Sequence, residues 1–203
     1  MPRHSQSRVR LLETASDLIW RQSYYGTSVD MICERCGIKK GSFYHHFPSK
    51  QALVIAALDT QWQGFRHFLD EAFSPSRPPI ERFRTYLNGT LANQLAHFEQ
   101  TSFVLGCPLY SLGTEIGTQE PEIRVKIDEH LGTMARYFTT AIRDGMASGE
   151  IPSGDPELIS RQVLTFCEGS MTLGRITNSL RPIRDMESGV MRLLGSATTA
   201  AAA

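Results

Sequence analysis

Residues Ser28–Lys50 read SVDMICERCGIKKGSFYHHFPSK, and this stretch decides the fold of the first part of the chain. Val29, Ile32 and two cysteines recur at the spacing of one helical face, and Gly37 follows where a left-handed residue would end that helix. The next segment places amines, a hydroxyl, a phenol and two imidazoles within about two helical turns. The pattern predicts a helix-turn-helix whose second helix is polar enough to contact nucleic acid.

Hydroxyl side chains flank this segment at both ends. Thr27 or Ser28 can accept a hydrogen bond from the first turn of the first helix, and Thr27 with Asp30 has the outline of a capping box. Ser49 is placed to cap a long helix that starts at Lys50. The predicted unit is therefore a short helix, a glycine turn, a second short helix and a longer third one.

The charge of the 203-residue chain is unevenly distributed, although its formal net charge is zero. Residues 1–50 contain eight Lys/Arg against four Asp/Glu, a net charge of +4, which leaves −4 on the rest. A basic N-terminal part on a mildly acidic body is the asymmetry expected of a DNA-binding domain joined to a sensor. A hydrophobic content of 41% suffices for one substantial core or for a small module attached to a larger domain.

Several features that the sequence lacks narrow the class of protein. There is no run of about 18 apolar residues, and the basic N-terminus has no apolar segment typical of a secretory signal. Four cysteines without such a signal predict reduced thiols and a cytoplasmic protein. Cys33 and Cys36 have CxxC spacing but no second pair to complete a zinc site, so we expect small apolar fillers, no metal and no cofactor.

Apolar residues recur with the helical period in nearly every segment, and no convincing alternating strand is present. Beyond the helix-turn-helix, the predicted helices run from Lys50 to about Ala72, Ile80 to about Gln100, Pro108 to Ile116, Pro121 to Ser148, Pro156 to about Ser179, and Pro182 to near Leu194. With a first helix around residues 11–19, the sequence predicts an all-α protein of about nine helices.

Residues 37–50, GIKKGSFYHHFPSK, resemble the signature of the TetR family of bacterial transcriptional regulators. The likeness covers roughly the first 55 residues, including the Tyr25-Gly26-Thr27-Ser28 entry to the motif. It implies an N-terminal three-helix helix-turn-helix DNA-binding domain, followed by a C-terminal helical domain for ligand binding and dimerisation. We expect these domains at residues 1–52 and 53–196, with a disordered tail at 197–203.

The resemblance also implies which residues contact DNA. The expected set is Thr27, Ser28, Lys39, Lys40, Gly41, Ser42, Tyr44, His45, His46 and Lys50. An ordinary exposed helix face is the alternative for each polar member. Phe43 and Phe47 are four residues apart and are expected to pack inward. The second helix offers no Arg, Asn or Gln for bidentate contacts with bases, so most contacts are expected with phosphates.

A ligand site is expected in the C-terminal part, where aromatic and methionine side chains are numerous, although ordinary core packing is the alternative for each. The expected effector-binding residues are Phe83, Tyr86, Phe103, Cys107, Tyr110, Met134, Phe138, Phe166, Met171 and Arg175. Arg175 could supply a cation to an anionic ligand. The segment Gly106-Cys107-Pro108 resembles a subgroup of TetR-like regulators in which this cysteine lies near the effector pocket and, in some members, senses electrophiles or oxidants.

The favoured interpretation is a homodimeric repressor, not an enzyme, that binds a pseudo-palindromic double-stranded DNA operator. A small-molecule effector of unknown identity, or modification of Cys107, would release it, and the last two helices would form the dimer interface, as the resemblance implies. Two alternatives stay open: a helical enzyme with Cys107 as nucleophile, and a protein-binding helical module. The enzyme alternative lacks a recognisable base, because His97 and His130 are isolated in the sequence. Activation in place of repression also stays open.

Overall fold

The computed structural model describes residues 3–195, with side chains from residue 6 onward, and the tail expected at 197–203 lies outside that range. Every regular element within it is an α-helix, which confirms the all-α prediction. The helices are α1 (Arg3–Arg21), α2 (Val29–Cys36), α3 (Lys40–His46), α4 (Lys50–Ala72), α5 (Pro79–Thr101), α6 (Pro108–Ile116), α7 (Pro121–Ser148), α8 (Pro156–Thr177), α9 (Arg181–Arg184) and α10 (Met186–Leu193). None of these helices is long and apolar enough to cross a membrane.

The ends of the helices follow from local sequence chemistry. Ser28 caps α2 by accepting a hydrogen bond from the backbone N–H of Met31 at 3.1 Å, and Gly37 ends the helix with φ 65°. The predicted capping box from Thr27 to Asp30 is wrong, because the helix starts one residue later. The hydroxyl of Thr27 instead donates to the carbonyl of Ser23 at 2.7 Å.

The last predicted helix is divided in the structure. A single helix was expected from Pro182 to Leu194, but α9 ends before Asp185 and α10 begins after it. Asp185 itself keeps right-handed helical dihedral angles, with φ −77° and ψ −9°. The apolar periodicity therefore continues across the break, which is why the sequence pattern does not reveal it.

The chain forms two compact units, each made of two stretches. The head unit contains the residues up to Arg66 together with Pro108–His130, and the body unit contains His67–Cys107 together with the residues from Leu131 onward. The head unit therefore includes α6 and the start of α7 in addition to the helix-turn-helix. The expected domain boundary after residue 52 stays a prediction.

The core of the head unit is built from the apolar faces of α1 to α4. Its buried members are Leu11, Leu12, Ala15, Leu18, Ile32, Cys33, Cys36, Phe43, Phe47, Leu53 and Ala57. Phe43 has no exposed surface, so α3 is fixed by its apolar side. The predictions that Phe43 and Phe47 pack inward and that Cys33 and Cys36 act as small apolar fillers are confirmed.

Candidate nucleic-acid interface and ligand site

The polar side of α3 faces solvent because its apolar side is anchored in the head core. Lys39, Lys40, Gly41, Tyr44 and His45 are exposed, and Ser42 and His46 are half-buried. The Tyr44 ring lies edge-on to the buried Phe43 ring, with 5.1 Å between centroids, and half of its surface stays exposed. This side of the helix presents amines, a phenol and imidazoles together, which are groups that bind phosphate oxygens.

Lys40 forms an ion pair with Asp30 of α2, at 2.8 Å from Nζ to Oδ1. The hydrogen bond and the charge of Asp30 raise the pKa of the Lys40 ammonium, so it stays charged. Both side chains are exposed, and an exposed pair of this kind contributes little to stability. Lys40 can therefore exchange Asp30 for a phosphate without disturbing the fold.

Lys50 occupies a different place from the one expected of a phosphate contact. Its Nζ donates to the carbonyls of Tyr24 at 2.9 Å and Thr27 at 3.1 Å, and it lies 4.0 Å from the centroid of the Tyr24 ring. Burial lowers the pKa of Lys50, while Glu120 and Glu115 oppose that shift. Thr27 is fully buried beside it. Both residues hold the loop between α1 and α2 in place, and we do not retain them as DNA contacts.

The same loop is held from the other side by two acids that the sequence analysis did not single out as site residues. The carboxylate of Glu115, at the end of α6, accepts the backbone N–H groups of Tyr24 at 2.7 Å and Tyr25 at 2.8 Å. Glu120 accepts the Tyr24 hydroxyl at 2.9 Å and the amide of Gln51 at 3.1 Å. Burial, followed by the interaction with Glu120, raises the pKa of Tyr24, so its hydroxyl remains a donor.

Four of the expected effector-binding residues lie together in the core of the body unit. The Phe138 ring packs against the rings of Phe83 and Tyr86, with centroids 5.5 Å and 5.1 Å apart. The Tyr86 hydroxyl lies 3.9 Å from the sulfur of Met134, and all four side chains are almost completely buried. Ordinary core packing accounts for Phe83 and Phe138, whereas Tyr86 also places a polar group inside the unit.

The segment that ends at Cys107 is held by side chains of α5 and α8. Gln94 accepts the N–H of Gly106 at 3.1 Å and donates to its carbonyl at 3.2 Å. Arg175 donates to the carbonyl of Leu105 at 2.7 Å, so it has a structural role besides the predicted one as a cation for a ligand. Gly106 has φ 66°, and a Cβ there would lie 3.1 Å from the carbonyl oxygen of Met171. The residue before Cys107 therefore needs to be glycine.

Glu168 is a buried acid in the same region, which the sequence analysis did not predict. Only 1% of its surface is exposed, and neither carboxyl oxygen has a hydrogen-bond partner of ordinary geometry among the described residues. Burial raises its pKa to about 8, although the thiol of Cys107 acts in the opposite direction. Glu168 also contributes, with Cys167 and Cys107, to raising the pKa of Tyr86, after burial as the main cause. Tyr86, Cys107 and Glu168 thus form one polar cluster.

Three expected effector-binding residues are not fully buried. Phe103 is 61% exposed on the loop after α5, and Tyr110 on α6 is half-buried. Phe166 is 38% exposed, and its ring packs against Gly189 of α10 so closely that a Cβ there would lie 2.2 Å from the ring.

Apolar side chains also remain exposed along α8. Leu158, Phe166, Leu173 and Ile176 are spaced by about one or two helical turns, so they share one side of the helix, and Ile176 is the most exposed of them at 75%. Gly169 lies between them, with open space beside it. An exposed apolar stripe of this kind on a long helix is typical of a protein–protein contact.

The helix-turn-helix in the head unit is typical of DNA-binding transcriptional regulators. Residues 11–57 match the family described as "Bacterial regulatory proteins, tetR family", and residues 80–190 match "Tetracyclin repressor-like, C-terminal domain". The second match alone spans more than half of the chain. The chain therefore belongs to the TetR family.

Curated relatives and solved structures agree with this assignment. The transcriptional regulator AcuR of Cereibacter sphaeroides is 26% identical over 183 residues, covering 89% of this chain and 81% of AcuR. The HTH-type transcriptional regulator UidR of Escherichia coli is 27% identical over 196 residues, covering 91% of this chain and 93% of UidR. A regulatory protein TetR from Rhodobacter sphaeroides has the same fold, with a TM-score of 0.83 at 23% identity over 92% of this chain and 98% of that one.

Proposed function

We propose that this TetR-family transcriptional regulator is a repressor that binds a pseudo-palindromic operator as a homodimer. The observation that carries the proposal is the exposed polar side of α3, backed by the buried Phe43. The proposed DNA contacts are Ser28, Lys39, Lys40, Gly41, Ser42, Tyr44, His45 and His46. Because these groups suit phosphates better than base edges, binding is expected to weaken steeply with salt.

A gel-shift titration with a labelled DNA fragment from upstream of the coding sequence tests this interface. The double variant Lys40→Ala plus Tyr44→Ala removes one amine and one exposed ring from α3, and we expect at least tenfold weaker binding. The matched control, Arg124→Ala plus Phe103→Ala, removes an exposed cation and an exposed ring elsewhere. Equal DNA affinity of the two double variants would contradict the assignment.

The dimer is proposed to form through α8 and α10. The exposed Leu173 and Ile176 support this, as does the Phe166 ring, which rests on Gly189 of α10 at the edge of the same stripe. A twofold dimer places two recognition helices so that they reach successive major grooves. The symmetry of the operator follows from the symmetry of the protein.

Release from DNA is proposed to follow ligand binding in the body unit or modification of Cys107. Cys33, Cys36 and Cys167 are buried, whereas Cys107 is half-buried, so a small thiol reagent should reach Cys107 first. The likeness of Gly106-Cys107-Pro108 to a cysteine-sensing subgroup is part of this proposal. Alkylation with iodoacetamide should lower the DNA affinity of the wild type and leave Cys107→Ser unchanged. Undiminished affinity of the alkylated wild type would contradict a sensing role.

We propose no enzymatic activity for the chain and expect it in the bacterial cytoplasm, where its operator would be. The relatives with known names support this, because they are transcriptional regulators. The alternative, a nucleophilic Cys107, would require a base to activate it, and its carboxyl neighbour Glu168 is mostly protonated at neutral pH. Turnover of a thioester substrate that is lost in Cys107→Ser would favour the enzyme.

A further inference from the structure

Glu168 lies among groups that can surround a ligand. Tyr86 and Cys107 are close enough for their ionisation to be coupled to that of Glu168, and the Thr90 hydroxyl interacts with Tyr86 on the same helix. Met134 contacts the Tyr86 hydroxyl from α7. The polar cluster is therefore enclosed by α5, α7, α8 and the segment before α6.

A buried carboxyl group without donors is costly, because its oxygens lose their hydrogen bonds to water and gain none from the protein. Neither oxygen of Glu168 has a hydrogen-bond partner of ordinary geometry among the described residues, and the Cys107 thiol, a weak donor, is the one side chain that hydrogen-bonding places beside it. Among the described residues, no Lys, Arg or His takes part in setting its pKa, which burial and Cys107 alone determine. The protein thus keeps in its interior a carboxyl group that only a weak thiol donor approaches, and a stronger donor from outside can satisfy it.

We infer that Glu168 is the anchor for a protonated amine, so that the effector is a small organic cation with an apolar body. An ammonium group supplies up to three N–H donors and an opposite charge. The Tyr86 ring, whose ionisation is coupled to that of Glu168, is the aromatic neighbour that such a cation would contact. A carboxylate ligand would place a second acid beside Glu168 and would leave its oxygens competing for one proton.

The inference rests on the proposed function, since it names the effector class of that regulator. It also predicts a proton coupling that a neutral ligand would not produce. Glu168 is mostly protonated at pH 7 and must ionise to pair with an ammonium, so binding releases a proton. The other titratable groups around it, Tyr86, Cys107 and Cys167, face it from α5, the segment before α6 and α8 itself. Tyr86 and Cys167 remain protonated, because burial raises the pKa of both.

Calorimetric titration of the full chain with 2-phenylethylamine tests this, with 2-phenylethanol as the neutral probe and phenylacetate as the anionic one. Titrations at pH 7 in two buffers of different ionisation enthalpy give the number of protons released. We expect the amine to bind more tightly than either other probe and to release most of one proton, since a group with a pKa of about 8 is mostly protonated at pH 7.

The variant Glu168→Gln keeps the size of the side chain and removes its charge, so it should weaken amine binding at least tenfold and abolish proton release. The control Glu99→Gln, at an exposed position of α5, should change neither. Failure of the amine to bind, equal binding of phenylacetate or 2-phenylethanol, or unchanged proton release in Glu168→Gln would each overturn the inference.

A gel-shift titration of the same preparation separates this inference from the proposed function. DNA binding without amine binding overturns only the effector class. Amine binding with proton release, but without DNA binding, supports the anchor and overturns the regulatory proposal. Release of DNA by the amine in the wild type, and not in Glu168→Gln, supports both.

Discussion

The carboxylate of Glu115 accepts the backbone N–H of Tyr24 at 2.7 Å, although the two residues lie 91 positions apart in the chain. Its second oxygen accepts the N–H of Tyr25. Glu115 lies in the last turn of α6, and this helix begins at the residue after Cys107. The segment that carries the proposed sensor cysteine is thus followed directly by the helix whose Glu115 binds the loop in front of the helix-turn-helix. A displacement of α6 would strain or break the two hydrogen bonds from Glu115 to that loop.

Replacing Glu115 with alanine should therefore loosen the loop. The substitution leaves two backbone donors without their acceptor, which costs about 1–3 kcal/mol. In hydrogen exchange, the amides of Tyr24 and Tyr25 should lose protection before the rest of the head does. Glu122→Ala, at an exposed position in the first turn of α7, is the control and should leave both amides protected. Unchanged protection in Glu115→Ala would show that the loop is held without α6.

Gly106→Ala should destabilise the body unit. An alanine at φ 66° is strained by roughly 1–2 kcal/mol, and its Cβ would press against the Met171 carbonyl at 3.1 Å. Chemical denaturation should show a loss of about 1–3 kcal/mol in the free energy of unfolding. Gly64→Ala is the matched control, because Gly64 lies inside α4 with open space beside it and alanine favours a helix. If Gly106→Ala left the free energy of unfolding unchanged, the segment before Cys107 would have to shift readily to make room for the methyl group.

Stability should fall as pH rises through the titration of Glu168. Its pKa is raised from 4.5 to about 8 in the folded chain, so the folded state holds a proton that the unfolded state has lost. The protonated carboxyl therefore favours folding fully below pH 4.5, and this contribution is lost progressively up to about pH 8. The total is a few kcal/mol, at most about 5. The melting temperature of Glu168→Gln should lack this pH dependence, and at pH 8 it should be higher than that of the wild type.

Charges placed on the exposed stripe of α8 should separate the protomers. Leu173→Glu plus Ile176→Glu puts two carboxylates on a surface that the proposed dimer buries, and light scattering should report a monomer. Operator binding should weaken as well, since the two heads would no longer be joined. Val125→Glu, at an exposed apolar position on α7, is the control and should stay dimeric. A dimeric double variant would exclude this face as the interface.

Local sequence chemistry predicted the helix-turn-helix closely. The spacing of the apolar residues predicts the buried faces of α2 and α3, which contain Val29, Ile32 and Phe43. Gly37 marks the turn, because the end of α2 requires a residue in the left-handed conformation. Interactions between neighbours in sequence determine these features. The same reasoning located α6 and α7 from their initial prolines.

Side-chain direction in the rest of the molecule was not predictable in this way. The orientation of Phe166 depends on the absence of a side chain at Gly189, and the burial of Glu168 depends on helices that the pattern of α8 does not contain. The family resemblance implied a phosphate contact for Lys50, and its sequence neighbours do not show that its acceptors are the Tyr24 and Thr27 carbonyls, which belong to a loop more than 20 residues earlier. Tertiary contacts decide these cases.

The position of Lys50 also bears on how ionic strength acts on the head. Its ammonium binds two carbonyls of the loop between α1 and α2, as a bound metal ion would, but this cation is covalently part of α4. It is held by carbonyl dipoles and a ring face, and partly buried interactions are screened far less than contacts with a solvated polyanion. Added salt should therefore weaken the contacts between α3 and phosphates at concentrations that leave the loop intact. Ionic strength is then expected to change how much DNA is bound without changing the structure of the head unit.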